Sequence, residues 1–259
     1  MDEKIRKRIE GLAQNKEEVF LGGRLIELDA LAQKRCSAVC TGFLSQSEQA
    51  YCHMLKGLLH CRCLYFGGYE EAERQLAVLL PEEWCEVDPE VIAALRLSYT
   101  GELSHRDILG GLLATGIERD AVGDILVGDS CSFVLVTAAI APYLIQNMQR
   151  AGRVTVRTEQ IPLTELEVPE RLFEEVRGTV ASLRLDSVLA EGFSLSRETA
   201  QEAVKRGLAQ VNHRIVENVS KLLSEGDVIS LRGYGKMILE AVGGESRKGR
   251  VWITLKRFC

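Results

Sequence analysis

Between Ser182 and Arg214 the chain reads SLRLDSVLAEGFSLSRETAQEAVKRGLAQVNHR, and the punctuation of this stretch leaves little freedom of fold. Leu185, Val188 and Leu189 recur at helical spacing until Gly192 stops the pattern. Ser196 opens a second helix as its N-cap. Ala200, Ala203 and Val204 form that helix's apolar face, and Gly207 supplies a left-handed stop. Ala209–Val211 and Ile215–Val216 then pair around Asn212-His213, and Gly226-Asp227 turns the chain into the strand Val228–Leu231. The segment is therefore predicted to form an αL motif, two helices at an angle and a small twisted sheet.

Packing those apolar faces inward leaves Arg197, Gln201, Lys205 and Arg206 to project outward. A helix start with free amides and guanidinium forks suits phosphate oxygens. Nothing in the stretch supplies a nucleophile or a general base, so it reads as a binding surface. Charge supports this. The chain carries a net −5, yet residues 182–259 hold 13 Lys and Arg against 9 Asp and Glu, a balance of +4, while the remainder stands at −9. Sign asymmetry of this kind points to a polyanionic partner for one part of the chain.

Residues 81–160 are legible by periodicity. Val91–Thr100 reads as a strand, and Ser104 caps a helix that ends at Gly116. DILVG and CSFVLVT are strands about a hairpin signal at Gly128-Asp129. AAIAPYLIQNMQRAG is a helix ending at Gly152, and RVTVRTE is a final strand. The order βαββαβ predicts a ferredoxin-like, RRM-like domain. RNA-recognition domains share that topology with many small-molecule domains, and Phe133 is the only aromatic on the strand where RNA-stacking rings are expected. Ser104-His105-Arg106-Asp107 fits a capped helix start better than a catalytic group, with His105 and Arg106 as candidate phosphate contacts.

Residues 1–80 are expected to form a mostly helical domain. Ile5, Ile9 and Leu12 share one face, Leu25, Leu28, Leu31 and Ala32 another, and Ser45 with Glu48 signals a capping box. FGGYEEAER reads as a turn, since it lacks the Lys and Ser/Thr of a phosphate loop. Residues 161–181, with Pro162 and Pro169, read as a linker, and 182–259 as the basic C-terminal domain. The fold class is α+β throughout.

Six of the eight cysteines fall between Cys36 and Cys85. Their spacings lack paired C-x2-C knuckles, and Cys36 and Cys40 are expected at i, i+4 on an apolar helical face, so buried thiols are favoured over a zinc site. No apolar run reaches the roughly 18 residues of a membrane span, and MDEKIRKRIEGL lacks the apolar core of a secretory signal. Cytoplasmic location, with no membrane partner, no metal and no cofactor, is the expectation.

RLDSVLAEGFSLSRETAQEAVKRGLAQVN resembles the S4 RNA-binding domain, whose pattern runs R-L-D-x-x-L, then S-R, then A, then G-x-V-x-V-N-G. In that family the SR helix and the following hairpin bind structured RNA. The resemblance implies Arg184, Ser196, Arg197, Gln201, Lys205, Arg206, Asn212, Arg214 and Lys221 as contacts, with Asp186 orienting Arg184. Two departures stand out: His213 replaces the usual Gly, presenting a histidine to the ligand, and Val219-Ser220 replaces Pro-Ser. GFLSQSEQ, FGGYEEAER and LSHRDILGGLLATGIERDAVGDILV further resemble the YlmH family of bacterial S4 proteins, in the same three-part order over nearly the whole chain. That resemblance implies a cytoplasmic protein that binds the large ribosomal subunit; the residues are read as non-enzymatic, and a monomer is the expectation. Its partners would be 23S rRNA and peptidyl-tRNA, in quality control of stalled subunits. Two rivals stay open. One is an rRNA-modifying enzyme, pseudouridine synthase or methyltransferase, disfavoured because Arg184–Asp186 opens the S4 module itself and no Gly-rich loop follows a strand. The other is a cell-division interaction protein, suggested by the neighbouring genes of the family.

Overall fold

The computed structural model describes residues 2–128 and 131–258, in two compact units, Met1–Pro169 and Glu170–Cys259. The first unit is built in four layers. Helices α1 (Glu3–Leu12) and α2 (Lys16–Arg35), strand β1 (Val39–Leu44), helix α3 (Gln46–Met54), and strands β2 (Arg62–Phe66) and β3 (Gln75–Leu80) come first. The three strands form an antiparallel sheet in the order β1-β3-β2. On the helical side Ile9, Leu25, Leu28 and Tyr51 pack with Ala77 and Leu79. The capping box at Ser45 and Glu48 is present, with both reciprocal bonds formed.

Strand β1 interrupts the mostly helical domain expected over residues 1–80. Helix α2 ends in the basic turn Lys34-Arg35, and Cys36 takes a left-handed cap conformation at φ 49°. VCTGFL then pairs with β3, because its β-branched and aromatic residues bury well between two layers. Cys36 and Cys40 therefore share no helical face; the first is an exposed cap and the second lies in a strand. Cys52, Cys61 and Cys63 are buried thiols of this core. Burial raises all three, Cys52 and Cys61 to about 12.

The βαββαβ expectation describes the next elements: β4 (Ile92–Tyr99), α4 (His105–Ala114), β5 (Val122–Val127), β6 (Cys131–Thr137), α5 (Ala141–Asn147), β7 (Arg150–Ala151) and β8 (Val154–Ile161). The sheet runs β5-β6-β4-β8-β7, the ferredoxin-like order with an added two-residue strand. Asp129 of the expected β5–β6 turn lies outside the described residues. Helix α5 stops at Asn147 rather than Gly152, because Gly152, at φ 56°, turns a hairpin that pairs Ala151 with Val154. One sheet face is covered by α4 and α5. Leu135, Ala94 and Ile92 on the other face pack against Phe43, Leu76, Val78 and Leu80 of the N-terminal sheet. The two sheets are also joined by Asp124, which accepts the Tyr69 hydroxyl at 2.7 Å and the Glu73 and Arg74 amides at 2.7 and 3.0 Å. FGGYEEAER is thus a turn that docks on GDI. Arg74 adds hydrogen bonds to the carbonyls of Val122 and Phe43.

In the second unit, β9 (Phe173–Val180) precedes α6 (Leu185–Gly192) and α7 (Arg197–Lys205). Strands β10 (Ala209–Val211), β11 (Arg214–Ile215), β12 (Val228–Leu231), β13 (Gly235–Glu245) and β14 (Val251–Phe258) follow. The sheet order is β11-β10-β12-β13-β14-β9. Strand β9 corrects the linker expected over residues 161–181. Its eight residues pair in full with β14, and Phe173 meets Phe258 edge-on at 4.8 Å. The two helices bury Leu185, Val188, Leu189, Ala200 and Val204 completely against the sheet. At about 1.5–3 kcal/mol for each large apolar side chain, this burial is what fixes α6 and α7. Gly192 is not a left-handed stop. A Cβ there would lie 2.3 Å from Met237 Sδ, so the glycine permits close approach of helix and sheet, and Ser194 takes the positive φ of 54°.

Candidate nucleic-acid interface

Ser196 caps α7 by accepting the Thr199 amide at 3.0 Å, and Gly207, at φ 68°, ends the helix. Arg197, Gln201 and Lys205 therefore sit at i, i+4 and i+8, one stripe running along the border of the apolar face made by Ala200 and Val204. The stripe is anchored from below. Asp186 has no exposed surface, and its carboxylate accepts Arg184 through Nε and Nη2 at 3.0 and 3.1 Å, Arg197 Nε at 3.2 Å and Gln201 Nε2 at 2.7 Å. Burial alone would raise this carboxyl. The bonds from Arg184, Gln201 and Arg197 outweigh it and hold the group well below the usual carboxylate range. Asp186 orients three of the proposed contacts, two more than the sequence indicated. Arg197 lies 11 residues and Gln201 15 residues downstream on another helix, so no local spacing announces the cluster.

The loop after β11 is stitched to the start of α6. Leu185 and Asp186 donate their amides to the carbonyls of Lys221 and Val219 at 2.8 and 3.3 Å, which brings exposed Lys221 beside the Arg184 segment. Val219 thus serves in the Val-Ser pair without proline. Lys205 and Arg206 are exposed at the C-terminal end of α7, where cations also complement the helix dipole. Arg214 lies on β11.

Asn212 and His213 form the β10–β11 turn with φ of 49° and 65°. Both central residues are left-handed, as in a type I′ hairpin, so His213 keeps the turn that glycine would make rather than changing it. Asn212, expected as an RNA contact, is tied into its own hairpin. Its Nδ2 donates to Asp227 at 2.8 Å and its Oδ1 accepts the Val228 amide at 2.9 Å, so both ends of the amide pin the hairpin to β12.

His105 and Arg106 belong to the other unit, at the first turn of α4, where Ser104 and Asp107 form a complete capping box. Partial burial, together with the charge of Arg119, pushes the His105 imidazole below its ordinary value, with Asp124 opposing. A neutral imidazole is a weaker phosphate contact, which leaves Arg106 the stronger of the pair. Phe133 is 5% exposed and offers no stacking platform. The sheet face that RNA-recognition domains use is occupied at Ala94 and Leu135 by the N-terminal sheet.

Three family models match in chain order: "YlmH, N-terminal" over residues 15–84, "Putative RNA-binding domain in YlmH" over 94–165, and "S4 domain" over 183–229. The ribosome-associated protein quality control protein P2 of Bacillus subtilis (strain 168) is 31% identical over 246 residues, covering 93% of this chain and 96% of its own. The solved structure of the Streptococcus pneumoniae cell division protein ylmH aligns with a TM-score of 0.52 at 17% identity, over 61% of this chain and 98% of that one, a likeness of fold. With both a full-length relative and the three domains in order, the chain belongs to the YlmH family of S4-domain proteins.

Proposed function

We propose that this protein binds structured RNA of the large ribosomal subunit through its C-terminal unit, without catalysing a reaction, in quality control of stalled subunits. The single observation that carries the reading is the buried Asp186 carboxylate holding Arg184, Arg197 and Gln201 in fixed geometry. A preset array of guanidinium and amide donors beside exposed Lys205, Arg206 and Lys221 suits the evenly spaced phosphates of folded RNA. Counterion release then makes the binding strongly salt-dependent. The relative's name, a ribosome-associated quality control protein, agrees with this reading and favours neither rival. The RNA elements are 23S rRNA and peptidyl-tRNA, and the protein acts as a cytoplasmic monomer. No helix among the described residues is long and apolar enough to cross a membrane.

Sedimentation of a lysate through sucrose at low and high salt tests the proposal. The protein should travel with 50S particles in low salt and remain at the top of the gradient in high salt. A protein that stays at the top in both conditions contradicts it, and an altered nucleotide in rRNA from a deletion strain would favour the enzyme instead.

A further inference from the structure

A cleft of about 270 Å³ opens beside Arg197 in the C-terminal unit. This is just under the ~300 Å³ at which pockets for drug-sized molecules begin, a size suited to one small planar group. Val180, Ala190 and Leu195 give it apolar surface, and Ser187, Glu191, Arg197 and Arg250 give it polar surface. Glu191 reaches from the last turn of α6 across β9. A Cβ built on Gly178 would stand 2.0 Å from Glu191 Oε1 and 2.5 Å from its Cδ, so the glycine is the space that the carboxylate fills. Gly178 does not have a positive φ, and conformational freedom is not its reason. The Glu191 carboxylate makes no hydrogen bond or ion pair among the described residues. Arg250 is held by Thr179, donating Nε to Oγ1 at 3.0 Å and an Nη to the carbonyl. Among the described residues Arg197 bonds Asp186 through Nε, and the same side chain lines the cleft.

We infer that this cleft takes one unpaired guanine nucleotide, with the base edge on Glu191 and the phosphate on Arg197 and Arg250. Guanine presents N1–H and the 2-amino group side by side, and two carboxylate oxygens accept both. Adenine and cytosine offer one amino group beside a ring acceptor, and uracil flanks its single N–H with two carbonyls, so each sets a lone pair against the carboxylate. Unstacked bases are commonly read in this way, by edge hydrogen bonds with guanidinium and apolar surfaces around the ring. The inference rests on the RNA-binding reading and adds to it a base-reading site next to the phosphate-binding stripe.

The test uses the full-length chain and two kinds of probe: the four ribonucleoside monophosphates, and an RNA hairpin carrying one bulged guanine or one bulged adenine. Guanine should be preferred about tenfold or more, the range of a good bidentate base contact. A preference among the monophosphates alone assigns the site to a free nucleotide, and a preference in the hairpin assigns it to bound RNA. Glu191→Gln should abolish the preference, as should Gly178→Ala, whose methyl group displaces the carboxylate. If Gly178→Ala unfolds, Glu191→Gln decides alone. Equal affinities for all bases with both probes overturn the inference, as does a guanine preference that survives Glu191→Gln. Hairpin binding with no base preference in either probe overturns this inference only, whereas no hairpin binding at any salt overturns the RNA reading as well.

Discussion

Replacing Asp186 by Asn keeps the side chain's shape and removes the charge on which three others converge. The carboxylate is fully buried, and its Oδ2 alone accepts from Arg184, Arg197 and Gln201. Asn keeps one acceptor and turns the other position into a donor facing donors. Hydrogen bonds to a charged group contribute about 1.5–3 kcal/mol each. The partners, however, retain solvent access, with 31% of the Arg184 and 53% of the Arg197 side chain exposed, and regain hydration on release. The expected net loss is therefore about 2–3 kcal/mol, below the sum of the bonds. With a urea slope of about 1–3 kcal/mol per molar, the unfolding midpoint should fall by roughly 1–2 M. Trp252 lies in this unit and Trp84 in the other, so Trp252 fluorescence in a Trp84→Phe background follows the relevant transition. The pH dependence has a definite sign. The folded carboxyl lies well below its ordinary value of 3.8, so its stabilisation is complete above 3.8 and is lost progressively as pH falls from there through the lower folded value. The gap between wild type and Asp186→Asn should therefore be constant at neutral pH and close in acid. RNA affinity should also drop about tenfold as the three donors lose their fixed geometry. An Asp186→Asn protein with the wild-type urea midpoint, and a stability gap that does not change with pH, would refute the reasoning.

His213→Gly should stabilise the C-terminal unit by up to about 1 kcal/mol, because histidine occupies a left-handed position at φ 65°. A rise of a few degrees in the melting temperature of that transition checks it. Gly192→Ala should destabilise the same unit by about 1–3 kcal/mol, since the new methyl group meets Met237 at 2.3 Å and Leu255 at 2.9 Å; urea unfolding followed at Trp252 measures it. Asp124→Asn should weaken the N-terminal unit by about 2–3 kcal/mol through its Tyr69, Glu73 and Arg74 bonds, while RNA affinity stays at the wild-type value; calorimetry and a binding titration separate the two effects.

What could be read in advance followed from local signals. The bounds of α6 and α7 came from apolar residues three and four apart with Ser196 and Gly207 at the ends, and α4 from the Ser104–Asp107 box. Strand β9 was hidden because FEEVRGTV carries charges on both faces and is made a strand by β14, some seventy residues on, where Phe173 pairs with Phe258 and Val180 with Val251. Strand β1 was hidden for a related reason. It follows a 20-residue helix with only a short break, and its pairing with β3 was not visible nearby. Within the interface, the residue types were legible but their organisation was not. Asp186 reaches Arg197 and Gln201 only after two helices pack, and Asn212, expected on RNA, turned out to be committed to Asp227 and Val228. The acidic balance of residues 1–181 was legible as charge, whereas the coverage of the ferredoxin-like sheet face by the N-terminal sheet required the interlocked side chains of Phe43, Val78 and Leu135.

The affinity of the full-length chain for large-subunit rRNA, measured from about 50 to 200 mM salt, bears most directly on the claim that α7 is the RNA-binding element. Each phosphate contact contributes a slope of ~0.9 in log affinity against log salt, so three contacts through Arg197, Lys205 and Arg206 correspond to about 40-fold over that range. Wild type should show at least that dependence. The Arg197→Glu, Lys205→Glu, Arg206→Glu variant should bind far more weakly and with a slope smaller by nearly three. Equal affinity and equal slope for the two proteins would contradict the account.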